Sequence, residues 1–180
     1  MSKKTIFKGF HRPIGLPAFL APMGFLRKKL NYTFKRKVTF FENCAYDLKN
    51  GKQGDWNKIY GACFGLFGIH KTSVRFGWRY SIPKNCIELC TIAYINGKPF
   101  RDYLPLCDLE LGESKELRIN VYIDDYKFLH VQFYVGKQLV KVLCWQIKPR
   151  FYFGCGFYFG GESKAPHKIT ARIDKRWREE

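Results

Sequence analysis

The sequence predicts an all-β chain folded as an antiparallel β-sandwich. Three observations carry that expectation. Short apolar-alternating runs recur at roughly ten-residue spacing with Gly, Asn, Asp or Pro between them. Aromatic residues make up 18% of the chain, which suits a pleated, half-buried surface. No segment holds a helical period of useful length.

The runs come in order. "YTFKRKVTFF" alternates from Tyr32, with Phe34, Arg36, Val38 and Phe40 on one side. "KIYGACFGLFGI" is apolar and Gly-spaced, as in a central strand that a neighbour approaches closely. "SVRFGWRY" sets Val74, Phe76 and Trp78 against Ser73, Arg75, Gly77 and Arg79. "NCIELCTIAYI" ends on Asn96-Gly97, a pair that tolerates the positive φ of a type I′ hairpin turn. "KELRINVYI" aligns Leu117, Ile119, Val121 and Ile123. After the Asp124-Asp125 turn, "YKFLHVQFYV" sets His130, Gln132 and Tyr134 against Leu129, Val131 and Phe133. "LVKVLCWQI", "RFYFGCGFYF" and "HKITARI" complete the set. A short helix with Asp55 as N-cap is expected around Asp55–Tyr60.

The length of 180 residues fits one sandwich with an appendage. The expected division is a basic, apolar N-terminal arm at 1–31, a sandwich at 32–175 and a tail at 176–180. Residues 1–37 hold ten basic residues and no acidic one. Phe7, Phe10, Leu16, Phe19, Leu20, Met23, Phe25 and Leu26 are too apolar for a solvated tail. The arm is therefore expected to lie on a protein neighbour or on the domain itself. A homo-oligomer would supply such a neighbour.

The net charge of +17 favours a polyanion, whether nucleic acid or acidic glycan. The candidate residues are Arg75, Arg79, Arg27, Lys28, Lys29, Lys35, Arg36 and Lys37. The seven cysteines form no CxxC and sit mostly in apolar runs. They are expected to be buried reduced thiols in a reducing compartment, the cytoplasm of a bacterial host or a virion assembled there. No membrane-spanning run occurs in the sequence. The histidines lack metal-like spacing, and no P-loop, GxSxG or GxGxxG occurs. No metal or cofactor is expected.

"DWNK" (Asp55, Trp56, Asn57, Lys58), "RxGWRY" (Arg75, Gly77, Trp78, Arg79, Tyr80) and "IEL…YxNGK" (Ile87, Glu88, Leu89, Tyr94, Asn96, Gly97, Lys98) follow in that order. This series resembles a group of proteins from Bacteroidetes and their phages, which carries no activity across. The ending "FYFGGESKAPHKITARI" is similar to the closing strands of concanavalin A-like jelly rolls, a class that includes lectins and some polysaccharide lyases. That resemblance makes the expected sandwich a jelly roll of concanavalin A-like type.

Alginate-lyase-like members of the class carry a strand similar to Tyr-Phe-Lys-Ala-Gly-x-Tyr, whose Lys and Tyr line the cleft. Here the strand reads Tyr152-Phe153-Gly154-Cys155-Gly156-Phe157-Tyr158, with Gly154 at the lysine position. The lyases' Gln-x-His element is missing as well. Without the lysine, β-elimination lacks its main electrostatic term. The expectation is therefore a non-enzymatic virion-associated assembly protein. The alternatives are a lectin-like carbohydrate-binding module and a nucleic-acid-binding accessory protein. Tyr152, Gly154, Gly156 and Tyr158 alternate onto one face and form a candidate aromatic trough for a glycan or bases. No catalytic residue is assigned.

Overall fold

The computed structural model describes residues 3–13, 23–25, 32–49, 51–64, 71–100, 104–146, 151–160 and 163–176. Among the described residues, thirteen strands run in chain order: β1 (Lys3–Ile6), β2 (Met23–Phe25), β3 (Tyr32–Phe40), β4 (Asn57–Phe64), β5 (Ser73–Ser81), β6 (Cys86–Ile95), β7 (Lys98–Phe100), β8 (Cys107–Leu109), β9 (Ser114–Ile123), β10 (Phe128–Val135), β11 (Gln138–Gln146), β12 (Phe151–Cys155) and β13 (Ile169–Arg176). One short 3₁₀ turn, Glu42–Cys44, follows β3.

The strands form two antiparallel sheets. The six-stranded sheet runs β1-β13-β3-β9-β10-β11, and the seven-stranded sheet runs β2-β12-β4-β5-β6-β7 with β8 also on β6. The last strand lies beside the first, as the jelly-roll expectation requires. The Asn96-Gly97 turn takes positive φ at both residues, 52° and 82°.

Alternation drives the core. Phe76 and Trp78 of β5 and Phe133 of β10 are fully buried between the sheets. Phe76 meets Phe133 edge-on at 5.2 Å, and Trp78 stacks on Phe157 at 5.7 Å. Such contacts add about 0.5–1.5 kcal/mol each beyond area burial. Tyr60 of β4 crosses the interior, and its hydroxyl donates to the Leu117 carbonyl of β9 at 2.6 Å. That bond satisfies a buried polar group and ties the two sheets together.

The described parts of the N-terminal extension fold back onto the chain. β1 pairs with β13 on one sheet, and β2 pairs with β12 on the other. Residues 9–11 also bond to Ala165 and Phe159 through the backbone. The helix expected at Asp55–Tyr60 is absent, because β4 starts at Asn57 and pairs with β5 and β12 on its two sides. All seven cysteines are free, and five are buried. Among the described residues, no helix is long and apolar enough to cross a membrane.

Candidate active site on the seven-stranded sheet

The outer face of the seven-stranded sheet carries the three sequence motifs to one place. β5 alternation sends Val74, Phe76 and Trp78 into the core and leaves Arg75, Gly77 and Arg79 on the other face. β6 pairs in register, so Glu88 lies opposite Arg79 and Cys90 opposite Gly77. On β4, Lys58 pairs with Gly77 and Gly61 with Arg75, and the register shifts between them. This bulge absorbs the extra residue between two outward positions, which re-aims Lys58.

Lys58 exchanges two backbone bonds of 2.8 Å with Tyr158. Its ammonium lies 5.6 Å from the centre of the Tyr158 ring. Lys58 Nζ donates to the Gly160 carbonyl at 3.2 Å. Burial, followed by the positive charge of Arg75, pushes the Lys58 pKa down to about 8. The His11 ring stacks on Tyr158 at 5.3 Å, and its Nδ1 lies 3.0 Å from the Phe159 carbonyl.

Asn57 fixes this corner. Its side chain is 1% exposed. Nδ2 donates to the Tyr46 hydroxyl at 2.8 Å, and Oδ1 accepts from the Gly160 N–H. The start of β4 is thereby locked to the 158–160 segment, and Lys58 to Tyr158.

The two arginines of β5 differ. Arg79 is neutralised: Nε donates to Glu88 Oε2 at 2.7 Å, Nη1 donates to the Gly54 carbonyl at 3.2 Å, and the guanidinium lies 4.3 Å over Trp56. Lys84 also pairs with Glu88, at 2.9 Å. Burial raises the Glu88 pKa, but the hydrogen bonds from Lys84 and Arg79 outweigh it and hold the carboxyl below its usual range.

Arg75 is 3% exposed, and its Nε and Nη2 have no hydrogen-bond partner. Its guanidinium lies 5.8 Å from the centre of the Tyr94 ring. A buried cation with two empty donors is costly unless an anion completes it. Gly61 makes room for it, since a Cβ there would lie 2.7 Å from Arg75 Cγ and 2.0 Å from the Val74 carbonyl oxygen.

The aromatic trough does not form as one face. Gly154 is in register with Ala62, a core residue, so its strand position belongs to the inward set. Cys155 is in register with Gly61, on the outer set. β12 ends there, and the alternation resets at Gly156. Phe157 and Phe159 enter the core, and Tyr158 emerges beside Lys58. The side chain of Tyr152 lies outside the described residues.

The polyanion candidates also separate. Lys35 and Lys37 are exposed on the six-stranded sheet, while Arg75 and Arg79 lie on the seven-stranded one. Arg36 is no surface cation: it is buried, its guanidinium lies 5.6 Å from the Tyr60 ring, and Nη1 donates to the Lys35 carbonyl at 2.8 Å. Burial lowers its pKa. Arg27, Lys28 and Lys29 lie outside the described residues. Among the described residues, no cluster of His, Cys, Asp and Glu could hold a metal ion.

No protein-family model and no curated protein matches the chain. Solved structures do. The alginate lyase Aly36B is similar with a TM-score of 0.60 at 12% identity, over 96% of this chain and 77% of that one. A variant of that lyase in complex with alginate tetrasaccharide gives 0.58 at 11%, with 96% and 77% covered. An endo-β-1,4-glucuronan lyase from the fungus Trichoderma reesei gives 0.50 at 10%, with 96% and 76% covered. These likenesses establish the fold as the jelly roll that polysaccharide lyases use.

They also correct the functional expectation. The three solved structures above are polysaccharide lyases, which runs against the expectation of a non-enzymatic virion-associated protein. The physical ground for excluding catalysis fails too. Gly154 does lack the lysine, but Lys58 on the adjacent strand places an amine against Tyr158. The sequence showed both residues, but it did not show that β4 and β12 are neighbours. The presence of Lys58 in the first motif, Arg75 and Arg79 in the second and Glu88 in the third was the available signal.

Proposed function

We propose that the chain is a polysaccharide lyase that cleaves an acidic, uronate-bearing glycan by β-elimination. The observation that carries this reading is Lys58, its pKa lowered to about 8, set against Tyr158 beside the unpaired Arg75 guanidinium. In such a reaction, the carbon next to the sugar carboxylate loses a proton. A double bond forms between that carbon and the next, and the glycosidic oxygen leaves.

Each role has a candidate. Arg75 takes the sugar carboxylate, which fills its empty donors and spreads the charge of the enolate-like intermediate. Neutral Lys58 takes the proton. A base poised near the working pH serves best, and the positive charge of Arg75 helps to keep it there. The Tyr158 hydroxyl protonates the leaving oxygen, and the adjacent Lys58 ammonium then returns a proton to Tyr158. Glu88 and Gly54 hold Arg79 over Trp56, a flat cation-aromatic surface for the neighbouring sugar. At 3% exposure, Arg75 is reached only when the atoms above it yield, so substrate loading is expected to be slow.

The test is incubation of the full chain with a panel of polyuronates and neutral glycans, followed by ultraviolet absorbance of the unsaturated uronate product. Product from one or more polyuronates and none from neutral glycans is expected. Absence of unsaturated product from the entire polyuronate panel sinks the proposal.

A further inference from the structure

The opposite face of the molecule carries a charge pattern that its own side chains do not balance. On the outer side of the six-stranded sheet, Lys35 of β3 lies directly opposite Arg118 of β9, and Lys3 of β1 directly opposite Arg172 of β13. Arg176 also holds the register position opposite Lys35. Like charges directly opposed across a sheet are destabilising. The Lys35–Arg118 and Lys3–Arg172 pairings amount to a cost that an anion would remove.

Some compensation is present. Lys35 pairs with Glu116 at 3.0 Å, and Asp174, Lys37 and Glu116 occupy one cross-strand row. Arg118 is not neutralised. Its guanidinium lies 4.0 Å over the Tyr134 ring, and its buried Nε has no hydrogen-bond partner. No carboxylate pairs with Arg118, Lys37 or Arg172 among the described residues.

We infer that this face is a second, non-catalytic binding surface for an acidic polysaccharide, an inference that rests on the acidic-glycan reading above. Three features favour a glycan over a nucleic acid. The cations are interspersed with Glu116 and Asp174, which suits a polymer of spaced single charges better than a dense phosphate backbone. The strands step by about 4.8 Å, near the length of one sugar ring, so adjacent strands present one group per sugar. Uncharged hydrogen-bonding groups continue the face, as Thr33 bonds to Asn120 at 3.1 Å and Tyr134 to Gln132 at 3.0 Å. The Tyr122 and His130 rings, stacked at 4.6 Å, add flat surface beside them.

The experiment measures binding of the full chain carrying Lys58→Met to immobilised sodium alginate, with dextran as the neutral control. Because cleavage is not needed, the result stands whether or not the wild type is a lyase. Lys37→Glu combined with Lys35→Glu is expected to weaken binding at least about tenfold and to flatten its salt dependence. Arg118→Gln is expected to weaken binding as well. Thermal melts confirm that the variants fold, and Lys37→Gln, at an exposed position between Asp174 and Glu116, supplies a variant that adds no like charge to that row. Unchanged alginate binding in all of these variants overturns the inference. So does displacement by mixed-sequence double-stranded DNA at concentrations below those at which alginate competes, which would make this a nucleic-acid surface.

Discussion

Replacing Arg75 by Met should stabilise the protein while impairing its function. The guanidinium is 3% exposed, and two of its nitrogens are buried without partners. Each unsatisfied donor costs about 1–3 kcal/mol. Met keeps much of the stem's packing and removes both donors and the charge. The loss is the contact with the Tyr94 ring at 5.8 Å, worth about 0.5–2 kcal/mol. The balance runs from about neutral to about 5 kcal/mol in the variant's favour, with a midpoint of about 3 kcal/mol. At about 2–4 °C per kcal/mol for a chain of this size, the melting temperature should rise by several degrees. Adding a short uronate oligosaccharide should raise the wild-type melting temperature by more than that of the variant, because the six-stranded face takes the anion in both and only the wild type has a buried guanidinium for it to complete. The assay is a pair of thermal melts followed by circular dichroism, with and without the oligosaccharide. An unliganded variant that melts lower than wild type would refute the reasoning, since Arg75 would then be a satisfied structural residue.

Four further outcomes follow from the same geometry. Tyr158→Phe keeps the His11 stack and removes the proton donor, so kcat on polyuronate should fall by about 10²–10⁴ with the melting temperature nearly unchanged. Gly61→Ala places a Cβ 2.0 Å from the Val74 carbonyl oxygen and 2.6 Å from Arg75 Cα, so β4 and β5 must part; denaturant titration should show a loss of about 1–3 kcal/mol or more. Asn57→Ala leaves the Gly160 N–H without its partner and the Tyr46 hydroxyl with only the 3.4 Å bond from the Tyr80 N–H; a stability loss of about 1–3 kcal/mol should accompany a fall in kcat larger than the change in KM. Lys58 has a lowered folded pKa, so its charge destabilises the fold in full below about pH 8, and that penalty is relieved as pH rises from about 8 toward 10.5; Lys58→Met should therefore raise the melting temperature at pH 7 by more than at pH 10.

The strands were legible because one face of each is core. Leu117, Ile119 and Val121 alternate with polar residues, and all three are buried. The Asn96-Gly97 turn was legible because few residue pairs accept two positive φ values. The β12 faces were not, since alternation assumes an unbroken strand and this one ends at Cys155, so that Gly154 and Tyr158 part company. The start of β4 was misread as a helix because Asp55 resembles an N-cap, whereas strand pairing on both sides decides the outcome. The site itself depends on which strands are neighbours. Lys58 and Tyr158 are a hundred residues apart in sequence and meet through a backbone bridge. The apolar leader asked for a cover, and the described parts of it pair with β13 and β12 of the same chain.

The pH dependence of kcat/KM for polyuronate cleavage tests the Lys58 assignment most directly. With a pKa of about 8, roughly one molecule in ten holds the neutral amine at pH 7, against fewer than about one in a thousand for an ordinary lysine. The rate should rise about tenfold per pH unit up to about pH 8 and then level, and in Arg75→Met, whose amine has lost a positive neighbour, the plateau should move to higher pH. A profile flat between pH 6 and 9, or one that Lys58→Met leaves unchanged, would contradict the assignment of Lys58 as the base.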